Sequence, residues 1–408
     1  MIAAAYRAAG FMAAPGLRWL LARRVARGKE DAGRVGERFG RAGLPRPVGR
    51  LVWFHAASVG EMLSVLPVIQ AVGCEVLLTT GTRTSARLAE QRLPAHARHQ
   101  FVPLDHPSWV AAFLAHWRPD AAVFVESELW PGMLDICDAR GIPRLLINAR
   151  ISVRSARNWR CVPGFARRVL GPFRYIHAQS VADAENLRAL GASDVLEWGN
   201  LKFFAPELPV DAAALAALRA ALPGPCWLAA STHPGEEALV LQAHQALLAA
   251  YPGLVTLLVP RHPERGAEVA QLCEAPRRSL GETPQPGRVY VADTLGELGL
   301  FFRLAPFAFL GNSLLGFGGH NLIEPAMLAR PVIAGPHVEN FIEAAAMLRA
   351  AGALREVADA PTLAEAAGNW LAVPEQAQAL GLAAQAVFQA QGDLPQRLAR
   401  LILDCALA

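Results

Sequence analysis

Short apolar runs recur along this chain and alternate with longer stretches whose apolar residues have helical spacing. In the first half these runs occupy residues 51–55, 74–80, 99–103, 121–125, 143–148 and 175–179. In the second half they occupy residues 226–231, 254–259, 289–291, 307–310 and 331–334. Strands that alternate with helices form parallel sheets, which bind ligands at the carboxyl ends of their strands. The pattern therefore predicts an α/β protein with doubly wound parallel sheets.

The alternation is interrupted between residues 201 and 209, where the chain has little periodicity and several prolines. Its 408 residues, 53% of them apolar, are more than one ordinary core accommodates. We therefore predict one Rossmann-like domain at residues 49–205 and a second at residues 206–408. An N-terminal arm and a polar connector, residues 1–48, precede them.

The arm is apolar over residues 1–24, but Arg7, Pro15 and Arg18 interrupt it. A membrane-spanning helix needs about 20 nearly uncharged residues, and a central arginine costs roughly 2.5 to 3.5 kcal/mol. A secretory signal would place its charge ahead of the apolar run. Because further arginines follow, the arm fits a segment lying in a membrane interface. A helix docked on its own domain fits equally well.

Composition narrows the possible functions only slightly. The formal net charge of +4 comes from 37 Arg and two Lys, so Lys202 at the predicted domain boundary is conspicuous. The six cysteines form no C-x-x-C pair, which predicts reduced thiols in a cytosolic protein without a zinc site. His233, His262 and His320 lie on different predicted loops without an i, i+4 partner, which also disfavours a metal site.

A glycine-rich segment, GNSLLGFGGHNLIEP, follows the run at residues 307–310 and leads into a helical pattern. A strand, a glycine turn and a helix start often bind phosphorylated ligands, because glycines admit the ligand and the first helical N–H groups favour an anion. Glu324, three residues after Asn321, would accept hydrogen bonds from ribose hydroxyls. The alternative is a capping box formed by the same two residues.

Three glutamates follow predicted strands of the first half. Glu61 comes after a Ser-Val-Gly turn, where a carboxylate can take a proton from a sugar hydroxyl. Its alternative role is to stabilise the start of the following helix. Glu126 and Glu128 lie two residues apart, so in an extended chain both would point the same way and hold an amino-sugar acceptor. A solvated strand end is the alternative.

Two cations are candidates for stabilising negative charge. Lys202 would act on a departing phosphate or on the carboxylate of a sugar acid, unless it is an exposed linker lysine. Arg261 follows a predicted strand and would bind phosphate. Its alternative is a surface ion pair with Glu264 or Glu268.

Several unusual strings occur in a fixed order over nearly the whole chain. They are HAASVGE (55–61), ESELWP (126–131), NARIS (148–152), GNLKF (199–203), STHPGEE (231–237), VPRHP (259–263), the glycine-rich segment and GPH (335–337). In this order they closely resemble the 3-deoxy-D-manno-octulosonic acid (Kdo) transferases of lipopolysaccharide synthesis.

The resemblance implies the glycosyltransferase type-B architecture, two Rossmann-like domains facing each other across a cleft, with the last helix, around residues 385–403, packing back on the first domain. It assigns Glu61 as general base, and Glu126 and Lys202 to transition-state stabilisation. It also assigns a set of residues around the cytidine monophosphate (CMP) moiety of the donor. These are Pro260, Arg261, Leu295, Gly296, Glu297, Asn321, Leu322, Ile323 and Glu324.

The implied reaction is inverting transfer of Kdo from CMP-Kdo to the glucosamine disaccharide of a lipid A precursor, without a metal or other cofactor. The implied location is the cytoplasmic side of the bacterial inner membrane, which favours an arm lying on an anionic surface. No nucleic acid and no obligate protein partner are expected. Two alternatives are a type-B enzyme using a UDP-sugar, such as an epimerase, and a catalytically silent nucleotide-sugar-binding protein at the membrane.

Overall fold

The protein is described here by a computed structural model. The described residues are 2–222, 224–316 and 318–407. Outside them lie Met1 of the arm, Pro223, Phe317 of the glycine-rich segment, and Ala408. Contacts divide the chain into two units. The first comprises Met1–Pro206 and Asp393–Ala408, and the second comprises Glu207–Gly392.

Within the described residues, the first unit contains a parallel sheet of seven strands, in the order β3-β2-β1-β4-β5-β6-β7. The strands are β1 (Leu51–His55), β2 (Glu75–Thr80), β3 (Ala97–Phe101), β4 (Ala121–Val125), β5 (Arg144–Ala149), β6 (Phe173–Ala178) and β7 (Val195–Leu196). Helices connect them and cover both faces. These are α1 (Ile2–Ala26), α2 (Val59–Ala71), α3 (Arg83–Arg92), α4 (Pro107–Trp117), α5 (Pro131–Ala139), α6 (Val153–Arg160), α7 (Pro163–Leu170) and α8 (Val181–Ala189), with 3₁₀ turns at Val35–Phe39 and Leu201–Phe204.

Alternate residues of β1 pack on opposite faces of this sheet. Trp53 packs against Phe113 and Phe124 on one face, at ring separations of 4.9 and 5.4 Å. Phe54 joins a second apolar cluster on the other face, together with Ile69. Because both faces are buried, β1 is apolar at nearly every position, which explains why it appears in the sequence as a continuous run.

The second unit contains a parallel sheet of six strands, in the order β10-β9-β8-β11-β12-β13, among the described residues. The strands are β8 (Cys226–Thr232), β9 (Val255–Pro260), β10 (Val289–Val291), β11 (Ala308–Leu310), β12 (Val332–Ala334) and β13 (Leu354–Glu356). The helices are α9 (Ala212–Ala221), α10 (Glu236–Leu247), α11 (Gly266–Cys273), α12 (Leu298–Leu304), α13 (Ile323–Met327), α14 (Ile342–Ala350), α15 (Ala360–Ala372) and α16 (Pro374–Gln389), with 3₁₀ turns at Pro263–Arg265, Arg278–Leu280 and Glu339–Phe341. After α16 the chain returns to the first unit, where α17 (Leu394–Leu407) packs on α2.

The predicted α/β class with two parallel sheets is confirmed, but some predicted elements are wrong. A single helix around residues 385–403 is replaced by α16 and α17, since the chain turns between them at Gly392, which has a left-handed φ of +84°. Within the interrupted stretch at residues 201–209, residues 201–204 form a 3₁₀ turn that buries Leu201 and Phe203, and the division between the two units follows at Pro206. The short edge strands β7 and β13 lack an apolar run and were not predicted.

Helix α1 lies against the first unit and also exposes apolar surface. Leu21 is buried, and the Tyr6 hydroxyl donates to Asp105 Oδ2 at 2.7 Å. In contrast, Met12 is 76% exposed and Trp19 is 63% exposed. No helix in the part of the chain that the structure describes is both long and apolar enough to cross a membrane.

Each sheet has one point at which the strand order reverses direction. In the first unit it lies between β1 and β4, and in the second between β8 and β11. Connections leave neighbouring strands toward opposite faces there, which opens a crevice at the carboxyl ends. Glu61 lies in the first turn of the helix after β1, Glu126 lies in the loop after β4, and the loop after β11 carries the glycine-rich segment.

Candidate active site

Glu61 is the third residue of α2, beside the end of β1. Its carboxylate accepts hydrogen bonds from the Ala57 N–H and the Ser58 hydroxyl, both at 2.8 Å, while the Ser58 oxygen accepts from the Glu61 N–H at 3.2 Å. Glu61 therefore does stabilise the start of α2, as the alternative interpretation proposed. This structural role does not prevent it from acting as a base. A carboxylate oxygen that accepts one hydrogen bond still has a lone pair for a proton.

The electrostatic surroundings of Glu61 suit proton transfer. Burial raises the pKa of its carboxyl above the ordinary value, although the hydrogen bond from Ser58 acts against this. The nearby charges of Glu128 and Glu126 raise this pKa further. A carboxylate with a raised pKa holds a proton more firmly, which improves a general base working near neutral pH.

Glu126 does not continue β4 in the extended form considered from the sequence. The strand ends at Val125, and Glu126 has a left-handed φ of +55°. Its Oε1 atom forms an ion pair with Lys202 Nζ at 2.9 Å. The extended chain on which the predicted common orientation of Glu126 and Glu128 depends is therefore absent, and the two carboxylates have different partners. A non-glycine residue held in this conformation is strained, which is common at functional sites.

Glu128 accepts hydrogen bonds from two rings. His55 Nε2 lies 3.2 Å and Trp130 Nε1 lies 2.6 Å from its Oε2 atom. Burial alone would raise the pKa of Glu128, but the hydrogen bonds from both rings and the charge of His55 lower it below its ordinary value. Glu128 is therefore ionised near neutral pH, and its charge acts on Glu61.

Two asparagines hold Lys202 in place. The Leu201 N–H donates to Asn148 Oδ1 at 3.0 Å, and the Lys202 N–H donates to Asn200 Oδ1 at 3.0 Å. Asn148 is buried near the end of β5, with a left-handed φ of +52°. The side chain of Lys202 is 24% exposed. Lys202 is thus a fixed cation paired with Glu126, and the alternative of an exposed linker lysine is wrong.

In the second unit, Glu236 organises the glycine-rich segment. Its fully buried carboxylate accepts from the N–H groups of Asn312 at 2.6 Å and of Ser313 and Leu314 at 3.1 Å. It also accepts from the His233 N–H at 3.0 Å. These donors are therefore already used. The helix that follows, α13, has only five residues. The expectation that the glycine-rich turn offers its N–H groups to an anionic ligand is therefore wrong for Asn312, Ser313 and Leu314, because Glu236 already binds them.

Asn321 and Glu324 interact with each other instead of forming the alternative capping box. Asn321 Oδ1 accepts from the Ile323 N–H at 3.0 Å, two residues along the chain. Burial raises the pKa of Glu324 to about 7, although the hydrogen bond with Asn321 and the charge of Arg261 oppose this shift. The side chains of Leu322 and Ile323 are buried.

Arg261 follows β9, whose last residue, Pro260, is buried. The Arg261 N–H donates to Thr232 O at 3.0 Å, and its side chain is exposed. Among the residues that the structure describes, the carboxylates considered as its partners pair elsewhere. Glu264 pairs with His262 and Glu268 pairs with Arg265. Arg261 therefore forms neither of the two expected ion pairs, and its charge acts on Glu324 instead.

Three histidines come together beside Arg261. His233 Nε2 and His320 Nε2 are 3.1 Å apart with their rings nearly parallel at 20°, and His262 meets His233 edge-on at 5.7 Å. Burial lowers the pKa of His320 to about 4, with the charge of Arg261 acting in the same direction. In the described residues no three His, Cys, Asp or Glu side chains are arranged to hold a metal ion.

The predicted segment Leu295, Gly296 and Glu297 lies beyond β10, at the edge of the same sheet. Leu295 is 85% exposed, and Gly296 has a φ of +87°. Glu297 accepts from Arg278 Nη2 at 2.7 Å and from the Thr294 hydroxyl. The hydrogen bond from Arg278 lowers the pKa of Glu297. Because β10 neighbours β9, this segment and Arg261 leave adjacent strands.

Sequence reasoning missed Glu236, the pairing of His55 with Glu128, and the contact between His233 and His320. All three involve long-range contacts, but each residue lies within one of the strings quoted above. The available signal was a carboxylate or imidazole at or beyond the carboxyl end of a predicted strand.

Comparison with known proteins finds matches to one enzyme family. The model of a family described as 3-deoxy-D-manno-octulosonic-acid transferase (kdotransferase) matches residues 33–205. The chain is 33% identical over 388 residues to the 3-deoxy-D-manno-octulosonic acid transferase of Haemophilus influenzae, covering 90% of each. It is 35% identical over 381 residues to the Bordetella pertussis protein of the same name, covering 88% of this chain and 89% of that one.

Among solved structures, Neisseria meningitidis UDP-GlcNAc 2-epimerase bound to UDP-GlcNAc matches with a TM-score of 0.59. The match covers 88% of this chain and 100% of that chain at 14% identity. A likeness at this identity concerns the fold alone, and it identifies the glycosyltransferase type-B fold.

Proposed function

Because this chain belongs to the Kdo transferase family of glycosyltransferases, we propose that it moves Kdo from CMP-Kdo to the glucosamine disaccharide of a lipid A precursor, with inversion at the anomeric carbon. The observation that carries the proposal is Glu61. Its carboxyl has a raised pKa and stands at the strand-order reversal of the first unit, near the Glu126–Lys202 ion pair.

In the proposed reaction Glu61 takes the proton of an acceptor hydroxyl, and the resulting oxygen nucleophile attacks the anomeric carbon of Kdo. The bond from that carbon to the phosphate oxygen breaks, and its electron pair stays on the phosphate. Lys202 and Glu126 balance the charges that develop, because a paired cation and anion held in place need no reorganisation during the step.

The donor is proposed to bind in the second unit, where Glu324 accepts hydrogen bonds from the ribose and Arg261 binds the phosphate. Neighbouring Pro260, Leu295, Gly296, Glu297 and Asn321 complete the proposed CMP site. Leu322 and Ile323 would contribute backbone groups only. We propose that the reaction uses no metal, because CMP carries a single phosphate that an arginine can neutralise.

Helix α1 supports a proposed location on the cytoplasmic side of the inner membrane. It exposes Met12 and Trp19, and the same helix carries Arg18, Arg23 and Arg24. Apolar side chains can enter the lipid interface while each arginine near an anionic surface contributes about 1 kcal/mol. The exposed Arg154 and Arg157 of α6 are proposed to meet phosphates of the lipid acceptor.

Product analysis tests the proposal. Purified full-length protein is incubated with CMP-Kdo and a lipid A precursor in anionic vesicles, and the products are identified by mass and by the anomeric configuration in NMR spectra. Glu61→Gln should abolish transfer while CMP affinity stays within about threefold of wild type, since the base serves the acceptor. Glu185→Gln, a change at an exposed glutamate of the same unit, is the matched control and should keep normal transfer.

Thermal shifts with CMP and UDP separate the donor classes. Stabilisation by UDP and not by CMP would instead favour a UDP-sugar enzyme. CMP binding without any transfer would favour a silent binding protein. Near-normal turnover of Glu61→Gln would remove Glu61 from the mechanism.

A further inference from the structure

His233 and His320 form a hydrogen-bonded imidazole pair although they are 87 positions apart in the chain. His233 follows β8, and His320 lies in the glycine-rich segment after β11, the neighbouring strand. The 3.1 Å separation of their Nε2 atoms requires one N–H donor and one unprotonated acceptor. The two rings therefore act as one titrating unit with a single proton on the shared axis.

The charges around this pair keep it neutral before a ligand binds. Burial lowers the pKa of His233, and His262 and Arg261 lower it further. Two acidic groups on α10 oppose this, but each is already engaged. Glu236 accepts backbone N–H groups of the glycine-rich segment, and Glu237 pairs with Arg265 at 2.8 Å.

Two further titratable groups lie on elements around the donor site, Glu324 on α13 and His337 on the loop after β12. Glu324 has a pKa of about 7 and is therefore only partly ionised at neutral pH. His337 lies against the glycine-rich segment at Gly316 and pairs with Glu339 at 3.3 Å. At the pair, burial and the charges of His262 and the exposed Arg261 thus outweigh the opposing charges of Glu236 and Glu237.

We propose that the His233–His320 pair takes up one proton when a cytidine nucleotide places its phosphate beside Arg261. The inference rests on the proposed function, since it concerns the donor site of the same reaction. A phosphate adds further negative charge beside the pair, so protonation of the pair becomes favourable. The protonated pair then donates a charge-assisted hydrogen bond to the phosphate.

This proton uptake serves the departure of CMP. When the bond between the anomeric carbon and the phosphate oxygen breaks, the electron pair remains on the phosphate, which gains one negative charge. The hydroxyl proton of the acceptor goes to Glu61. A cationic imidazole pair beside the phosphate stabilises the added charge without transferring its own proton, so the pair lowers the barrier for departure.

The proposal makes nucleotide affinity depend on pH in a defined direction. The free pair has a low pKa and the phosphate-bound pair has a higher one. Between these two values, uptake of one proton strengthens binding about tenfold for each unit by which the pH falls. Above the pKa of the bound pair, the linkage disappears.

Titration calorimetry of CMP into the full-length protein, in two buffers with different ionisation enthalpies, measures the protons taken up. His233→Gln and His320→Gln should each take up about one proton fewer than wild type near pH 6.5. Because CMP and Glu324 titrate in wild type and in both variants, the difference in proton uptake between variant and wild type reports on the histidine pair alone. The ratio of variant to wild-type Kd should rise about tenfold per pH unit toward acid. His116→Gln, an exposed histidine in the first unit, should match wild type.

Cytidine, which lacks the phosphate, should bind with the same proton count in wild type and variants. The double variant should be no weaker than either single variant, because removing one ring already destroys the pair. If His320→Gln does not fold, His233→Gln, a substitution at a half-buried position, tests the proposal alone. Weaker binding with an unchanged proton count would overturn the inference and leave the proposed function intact. Wild-type protein that binds no CMP would overturn both.

Discussion

Replacing Glu324 by glutamine should stabilise the unliganded protein at alkaline pH but not at acidic pH. Burial raises the pKa of this carboxyl from 4.5 to about 7. Ionising it in the folded protein therefore costs about 3 kcal/mol more than ionising it in the unfolded chain. Because the side chain is partly exposed, solvent screening reduces this to about 1 to 3 kcal/mol.

The sign follows from proton binding. Between about pH 4.5 and about pH 7 the folded protein holds the Glu324 proton more firmly than the unfolded chain does. The free energy of unfolding contributed by this group therefore falls as pH rises through that window and stays low above it. Glutamine resembles the protonated carboxyl and carries no such loss.

Thermal unfolding of wild type and Glu324→Gln at about pH 5 and about pH 8 measures the effect. In a unit of this size 1 kcal/mol shifts Tm by about 2 to 4 °C. The variant should gain roughly 2 to 12 °C over wild type at the higher pH and little at the lower. Glu365→Gln, at an exposed position of the same unit, is the control. Parallel Tm curves for wild type and Glu324→Gln across this range would refute the argument, since they would mean that Glu324 ionises freely.

Three further predictions concern activity and binding. Glu128→Gln should move the acidic limb of kcat/KM to lower pH, because the charge of Glu128 raises the pKa of Glu61; an unmoved limb would show that Glu61 does not set it. Arg261→Ala should weaken CMP binding about tenfold to a hundredfold, which fluorescence or calorimetric titration checks; unchanged affinity would place the phosphate elsewhere. Deleting residues 1–24 should release the protein from anionic vesicles in co-sedimentation and leave CMP affinity unchanged. Attachment that survives the deletion would assign membrane contact to another surface.

Much of the fold was predictable because a buried strand appears in the sequence as a continuous apolar run. The runs that became β1, β4 and β9 are apolar at nearly every position, since both faces of a parallel sheet are covered. Strands that are only partly buried have no such run and could not be predicted. The short β7 has two intermediate positions, and two of the three residues of β13 are exposed.

The identities of the candidate residues were also predictable, because strand ends point to the ligand edge of an α/β sheet. Glu61, Lys202 and Arg261 could be proposed from their positions and from the resemblance. The residues that these side chains contact could not be predicted. The ion pair between Lys202 and Glu126 spans 76 positions of sequence and depends on a left-handed turn at Glu126 that no local pattern announces.

By itself, the sequence determined which segments are buried and which polar groups follow them, since both depend on the chemistry of neighbouring residues. Only the tertiary structure decided which of these groups meet. Strand order brings His233 to His320 and carries Glu236 to the N–H groups of the glycine-rich segment. Pairing between distant strands depends on how the whole sheet assembles. The charges that raise or lower each pKa are therefore a property of the fold and not of any single segment.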